Sequence, residues 1–467
     1  MTRDMNKTTL SEKIGYGFAS LGDAAAYGFI SVFLLFFLTT IAGITPGIAG
    51  TIVAIGAFWN AVFNPIMGYI SDRVYTRFGR RRPVILAFSL PLAMSAFLLF
   101  TSVDLPPAIK PIYYGIMLML YWTSYTGFFV PYLALGVDYT SDYNDRTVLR
   151  LFGSLFNMIG ALFAMVMPTL IVSMFEGMGM TTNQAWSATG LSIGVIAAIS
   201  ILITVFTSKQ KDPPCTRPAD LPKEPLGKAI GNIFKEYFSV AQIDIVRYLI
   251  IASLCGLITF TIMMSDVVYY FTNCKGLTSV EASTCLTLRV LLGLAFIPLT
   301  GKLILKTDKR ETMIGAYLLG SALLILIRFV NIPSPVDILL YMVGLSLCTT
   351  IYWQIMPGIF YDVCEYDRIM NGKNRSATIV SFLGLVEALA AGIGGQVLGW
   401  ILDFAGYDGS AAVQTDTALQ WIENCATLVP VAVSLIACYA LYKYPLTKKK
   451  YEEMLKGDSM FTLVMGP

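Results

Sequence analysis

Three acidic side chains stand inside long apolar runs: Asp23 in Ser20-Leu21-Gly22-Asp23-Ala24, Asp266 in Met264-Ser265-Asp266-Val267, and Glu387 in Val386-Glu387-Ala388. An ionisable group inside hydrocarbon is costly and by default marks function. A carboxylic acid shielded from water can load and release a proton as its surroundings change. The plainer alternative is a neutral acid, or one paired with Arg150, Arg289 or a carbonyl. Function is the preferred reading for Asp23 and Glu387, whereas Asp266 lies near enough to the end of its run to be solvated.

Two further groups offer hydrogen bonds at depth. Asn60 and Asn64 are four residues apart and share one face of a helix. They serve either as glue between helices or as the polar wall of a cavity, and their neighbours Trp59 and Pro65 favour the wall. Tyr352-Trp353-Gln354 sets aromatic rings beside an amide. Sugars present apolar C–H faces and many hydroxyls, so rings, amides and carboxyls together suit them. An interfacial Trp is the common alternative, but Trp353 lies deep in its run.

Helices must position these groups. The chain has 467 residues, is 56% hydrophobic and only 13% charged, too little charge to cover a soluble protein of this length. Crossing about 30 Å of hydrocarbon takes about 20 helical residues. Runs of that length read as 15–41, 48–70, 83–102, 111–136, 150–175, 187–207, 246–272, 281–304, 312–331, 337–361, 376–404 and 421–443. The expected fold is therefore all-α, a polytopic membrane protein of twelve transmembrane helices. A polar stretch, 208–245, divides it into an N-terminal half (1–207) and a C-terminal half (246–443) of six helices each, with a tail at 444–467. Lys and Arg gather in the N-terminal segment, the even-to-odd loops and the tail, which places both termini in the cytoplasm.

The loop after the second run carries Gly68-x-x-x-Asp72-Arg73 and then Gly79-Arg80-Arg81. Gly68 is expected to let two helices approach, and Asp72 to cap a helix end or pair with an Arg as a latch that breaks and reforms. Spacing and position resemble the cytoplasmic signature of the major facilitator superfamily, and the six-plus-six plan matches its layout. A degenerate counterpart follows the eighth run, Gly301-Lys302 to Lys309-Arg310. Asp362-x-x-Glu365, followed by Gly372-x-x-Arg375, reads as a solvated acidic–basic loop or as a mirrored second latch.

Other chemistries are poorly served. The chain has no His, its eight Cys show no CxxC, and no nucleophile–base set or phosphate loop appears. No enzyme, cofactor or metal site is expected. Basic residues are spread over short loops, so no nucleic acid is implied. Cys274 and Cys285 flank one turn and read better as two thiols than as a disulfide.

Trp59-Asn60-Ala61 with Asn64-Pro65-Ile66-Met67-Gly68, Tyr125-Thr126 with Pro131, Trp353 with Asp362-x-x-Glu365-Tyr366, and Gly372-x-x-Arg375 together resemble the glycoside–pentoside–hexuronide:cation symporters, the melibiose-permease branch of the facilitator fold. The resemblance covers nearly the whole chain and implies sugar uptake through the bacterial inner membrane, driven by a cation gradient around a central site. In that branch acidic residues on spans two and four bind sodium; the matching positions here are Asn60, Asn64 and Phe129. An amide cannot balance the ion's charge or accept a proton, so a proton is favoured over sodium. Arg150 matches the family's span-five Arg, Asp23 falls one residue from its span-one carboxylate, and Glu387 falls at or beside its span-eleven Lys. The expected contacts to a sugar or glycoside are Asp23, Asn60, Asn64, Arg150, Trp353, Gln354 and Glu387, with Asp23 and Glu387 coupling. The expected gate residues are Gly68, Asp72, Gly79, Arg80, Arg81, Asp362, Glu365 and Arg375. Uncoupled facilitation, an acidic or non-sugar cargo held by Arg150, and a transport-dead sensor are the alternatives.

Overall fold

The structure, a computed structural model, describes residues 8–139, 143–208, 226–330, 332–370, 376–411 and 413–455. Helices dominate them: α1 (Leu10–Phe36), α2 (Pro46–Asp72), α3 (Arg82–Leu99), α4 (Lys110–Asp138), α5 (Tyr143–Gly177), α6 (Thr182–Thr207), α7 (Leu226–Ala241), α8 (Asp244–Tyr269), α9 (Ser279–Lys306), α10 (Lys309–Phe329), α11 (Ser334–Met370), α12 (Ser376–Phe404), α13 (Asp416–Ala426), α14 (Leu428–Lys443) and α15 (Lys448–Leu455).

Local signals explain the helix ends. Thr9, Thr181 and Thr278 each close a capping box with Glu12, Gln184 and Glu281, satisfying the first free N–H groups of α1, α6 and α9. Proline opens α2, α3 and α4, where its missing N–H has no cost. α1 and α8 both pass into a five-residue π turn, Phe37–Ile41 and Tyr270–Cys274. These are the first helices after the two polar stretches, and the shared ending is a clearer internal repeat than the basic turns.

Among the described residues, eleven helical segments are long and apolar enough to cross a membrane. The twelfth expected span, α4, has 29 residues and packs between α2 and α3. Its Tyr121-Trp122-Thr123-Ser124-Tyr125-Thr126 stretch lowers its hydropathy below the others. Three boundaries differ from the sequence reading. The central stretch holds α7, whose apolar residues recur at helical spacing over too short a length to span. α11 runs on to Met370, so Asp362 and Glu365 lie on a helix rather than in a loop. The last span breaks at Thr427 into α13 and α14.

α1 packs most extensively on α5, α3 on α6, and α8 on α14. The early and late helices meet through α2 with α12, α1 with α8 and α5 with α9. Many of these contacts lie at the end of the bundle away from the termini. There a Cβ at Gly399 would sit 2.5 Å from the Pro46 carbonyl oxygen and 2.9 Å from Gly50 Cα. Thr39 and Tyr269 share a 2.6 Å hydrogen bond, Thr40 and Tyr407 one of 3.1 Å, and Ser265 donates to the Ser31 carbonyl at 3.3 Å. Cys274 and Cys285 are free thiols.

At the opposite end Thr8 is fastened to the start of α5. Its N–H and hydroxyl both donate to Asp145 Oδ2 at 2.7 Å, and Lys13 Nζ lies 2.8 Å from Oδ1. Burial pushes the Asp145 carboxyl up, but Lys13 and the Thr8 donors outweigh it and hold the carboxyl below its usual value. A folded-state pKa below the unfolded one adds stability above about pH 4, lost as pH falls through the folded value. Asp145→Ala should therefore lower stability by about 1.5–3 kcal/mol at neutral pH, with the gap to wild type closing in acid. Melting curves at neutral and strongly acidic pH test this; an undiminished gap in acid contradicts it.

Candidate functional site

The cavity at the centre of the bundle is walled by α1, α2, α4, α8 and α12, through residues that include Tyr27, Ser31, Ala57, Trp122, Phe260 and Ala391. Asp23 lies one turn from Tyr27, and Glu387 one turn from Ala391. Tyr27 is within electrostatic range of both acids. The two carboxyls therefore approach one layer of the cavity from opposite helices.

Asp23 is held from two sides. Tyr125 of α4 donates to Oδ1 at 2.5 Å, and Asn157 of α5 donates to Oδ2 at 3.4 Å. Tyr125 in turn packs edge-on to Trp122 with centroids 5.3 Å apart and stacks on Phe129 at 5.4 Å. Glu387 shows neither a hydrogen bond nor an ion pair to another described residue and lies in electrostatic range of Tyr352. Arg289 is not its partner or that of Asp23: its guanidinium is buried against α5 and donates to Met165 Sδ at 3.4 Å.

Asn60 and Asn64 form one linked unit. Asn64 Nδ2 donates to the Asn60 backbone oxygen at 2.8 Å and to its Oδ1 at 3.1 Å, while Thr126 donates to the same Oδ1 at 2.7 Å. Beside them Trp59 donates to Thr123 Oγ1 at 2.8 Å. This seam ties α2 to α4 through Asn60 and Trp59, while Asn64 bonds back to Asn60 on its own helix. Trp353 is 41% exposed and sets its ring edge-on to the cavity-lining Phe260 at 6.0 Å. Gln354 turns instead towards α9 and donates to the Gly293 carbonyl at 3.3 Å. Arg150 lies on α5, with its side chain outside the described residues.

The expected gate residues fall into two clusters at the terminus-bearing end. Asp72 ends α2 and pairs with Arg81 at 2.7 Å, while Arg80 donates to the Asp72 carbonyl at 3.2 Å. Arg81 also donates to Ser71 at 2.8 Å. Gly79 has φ +102° and closes a tight turn with Thr76. Gly68 does not mark a close helix approach, since a Cβ there would meet only Val130 at 3.9 Å, an ordinary contact. In the second cluster Asp362 accepts from Lys309 at 2.7 and 2.9 Å. Lys309 belongs to the degenerate basic turn. Glu365 pairs with Arg368 one turn on, and Arg375 lies outside the described residues.

Asp266 departs from expectation. It is not solvated near an interface but fully buried. Tyr27 and Asn157 join the site although they were not singled out; their signals were the four-residue spacing from Asp23 and a lone amide in an apolar span.

The model of the family described as MFS/sugar transport protein matches residues 15–448. The chain is 26% identical to the inner membrane symporter YicJ of Escherichia coli, over 93% of this chain and 92% of that one. It is 24% identical to the isoprimeverose transporter of Lactiplantibacillus pentosus, over 95% and 90%. Among solved structures, a bacterial homolog of the human lysosomal transporter Spinster, inward-facing and occupied, superposes with a TM-score of 0.67 at 14% identity, covering 95% of this chain and 97% of that one. At that identity the likeness is one of fold.

Proposed function

This chain belongs to the MFS/sugar transport protein family, and from that premise we propose that it is a secondary active transporter that moves a sugar or glycoside together with a cation, a proton in preference to sodium. Substrate binds in the central cavity between an N-terminal half, 1–207, and a C-terminal half, 246–443. The bundle end holding the termini faces the cytoplasm of a bacterial inner membrane, so the present conformation is closed to the outside.

One observation carries this reading: two carboxyls, Asp23 and Glu387, lie one helical turn from the wall of an aromatic-lined cavity, within electrostatic range of its Tyr27. Rings of Tyr27, Trp122 and Phe260 suit the C–H faces of a sugar, and the carboxyls accept its hydroxyls. Protons are preferred because neither amide can balance the charge of sodium, and the Asn60 Oδ1 already accepts from Asn64 and Thr126. Rocking of the halves would break the external contacts of α2 with α12, while the Asp72–Arg81 and Lys309–Asp362 pairs hold the cytoplasmic ends.

Proteoliposomes loaded with a panel of neutral and acidic sugars, with and without sodium, provide the test. Sugar-induced alkalinisation independent of sodium is the expected result. Accumulation that requires sodium overturns the proton assignment, and equilibration without ion dependence indicates a facilitator. Movement of no sugar removes the substrate class.

A further inference from the structure

Asp266 stands apart from the cavity acids. Its neighbours Met264 and Ser265 line the cavity, whereas its own side chain turns into the packing of α8 against α11 and α13 and is 0% exposed. Neither carboxyl oxygen has a hydrogen-bond partner among the described residues. The titratable groups in electrostatic range are Tyr269, Tyr270 and Cys274 on its own helix and π turn, Tyr341 on α11 and Cys425 on α13. None of these is a cation. The hydroxyls of Tyr270 and Tyr341 are likewise buried and unpartnered, with their rings 4.7 Å apart.

A bare carboxylate in that setting costs several kcal/mol. The setting requires a positive charge on the carboxyl itself. Resting on the reading of a cation-coupled carrier, we propose that Asp266 is a cation-loading site, whose buried carboxyl holds one monovalent cation, a proton or a sodium ion, while the far end is closed. Location gives the loading a mechanical consequence. Ser265 bonds across to α1, and Tyr269, three residues on, makes the closing contact with Thr39. An unloaded, ionised Asp266 needs water, and water reaches this layer when those contacts part. Loading thus favours the closed far end, and unloading favours its opening.

Dicyclohexylcarbodiimide modifies carboxylic acids in apolar surroundings, so the full-length protein itself can be probed, with peptide mapping by mass spectrometry. A proton occupant predicts modification of Asp266 in both choline and sodium chloride, slowing as pH rises. A sodium occupant predicts modification in choline and about tenfold protection at ten times the ion's Kd. No modification of Asp266 in either buffer, with Asp23 or Glu387 labelled as internal control, overturns the proposal. A second readout is the melting temperature of Asp266→Asn, an isostere that cannot load a cation. It should show a smaller shift with sodium, or with pH above the acid range that Asp145 governs, than wild type does, and an unchanged shift in that range also overturns the proposal. Neither readout uses a sugar, so failure here leaves the proposed substrate standing, and a panel with no transported sugar leaves the loading of Asp266 intact.

Discussion

Replacing Asp23 by Asn and Glu387 by Gln together should abolish uphill, pH-driven sugar accumulation in proteoliposomes while leaving the fold intact. Both changes keep side-chain shape and remove the capacity to exchange a proton. At Asp23 the change also weakens a charge-assisted bond: Tyr125 donates to Oδ1 at 2.5 Å, and a hydrogen bond to a charged group contributes about 1.5–3 kcal/mol. That bond lies within the protein, so its weakening should appear as a lower melting temperature of the double variant, by up to about 3 kcal/mol of stability. Glu387 has no such bond to lose, and Glu387→Gln alone should affect coupling more than stability. The discriminating measurement is initial uptake against pH. Wild type should show a pH-dependent rate and an accumulation ratio set by the proton gradient, whereas the double variant should equilibrate without pH dependence. An unchanged pH profile in the double variant would show that neither acid carries the coupling proton.

The sequence exposed the architecture because hydrocarbon imposes simple requirements. Span length is a local signal, and most of the helices follow it closely. α7 escaped because an amphipathic helix of 16 residues resembles a polar loop when only continuous apolar length is scored. At the site, Asp23 and Glu387 were legible as isolated acids in apolar runs. Their partners were not, since Tyr125 and Asn157 lie 102 and 134 residues away from Asp23. Asn60 and Asn64 show a different limit. Their four-residue spacing was plain, but whether a shared face meets a cavity or a neighbouring helix depends on packing. Here Thr126 on α4 takes up the amide oxygen of Asn60. Asp266 was misplaced for the same reason: its distance along the chain from the end of α8 suggested water, but α11 and α13 close over it.

A single methyl-bearing substitution at the far end should have an effect as large as loss of the acids. Gly50, Gly395 and Gly399 let α2 and α12 meet backbone to backbone, and a Cβ at Gly399 would fall 2.5 Å from the Pro46 oxygen and 3.2 Å from the Gly50 nitrogen. Backbone atoms cannot swing aside as a side chain can, so Gly399→Val must push the helices apart. Overpacking of this kind costs about 1–3 kcal/mol, and under the proposed rocking, which parts α2 from α12, that cost falls on the closed state. That shifts the balance of far-end open to closed molecules by about 5- to 150-fold. Gly384→Val on the same helix is the matched control, since nothing lies within 4 Å of a Cβ there. Ser31→Cys, on the cavity wall, reports the change through its reaction with an impermeant maleimide added from outside, measured against the parent protein with its native thiols. Gly399→Val should raise the labelling rate at least about fivefold and suppress uptake, while Gly384→Val should do neither. Equal labelling in the two variants would mean that the α2–α12 contact does not govern access to the cavity, and closure would then rest on the Thr39–Tyr269 and Thr40–Tyr407 bonds between α1 and the later helices.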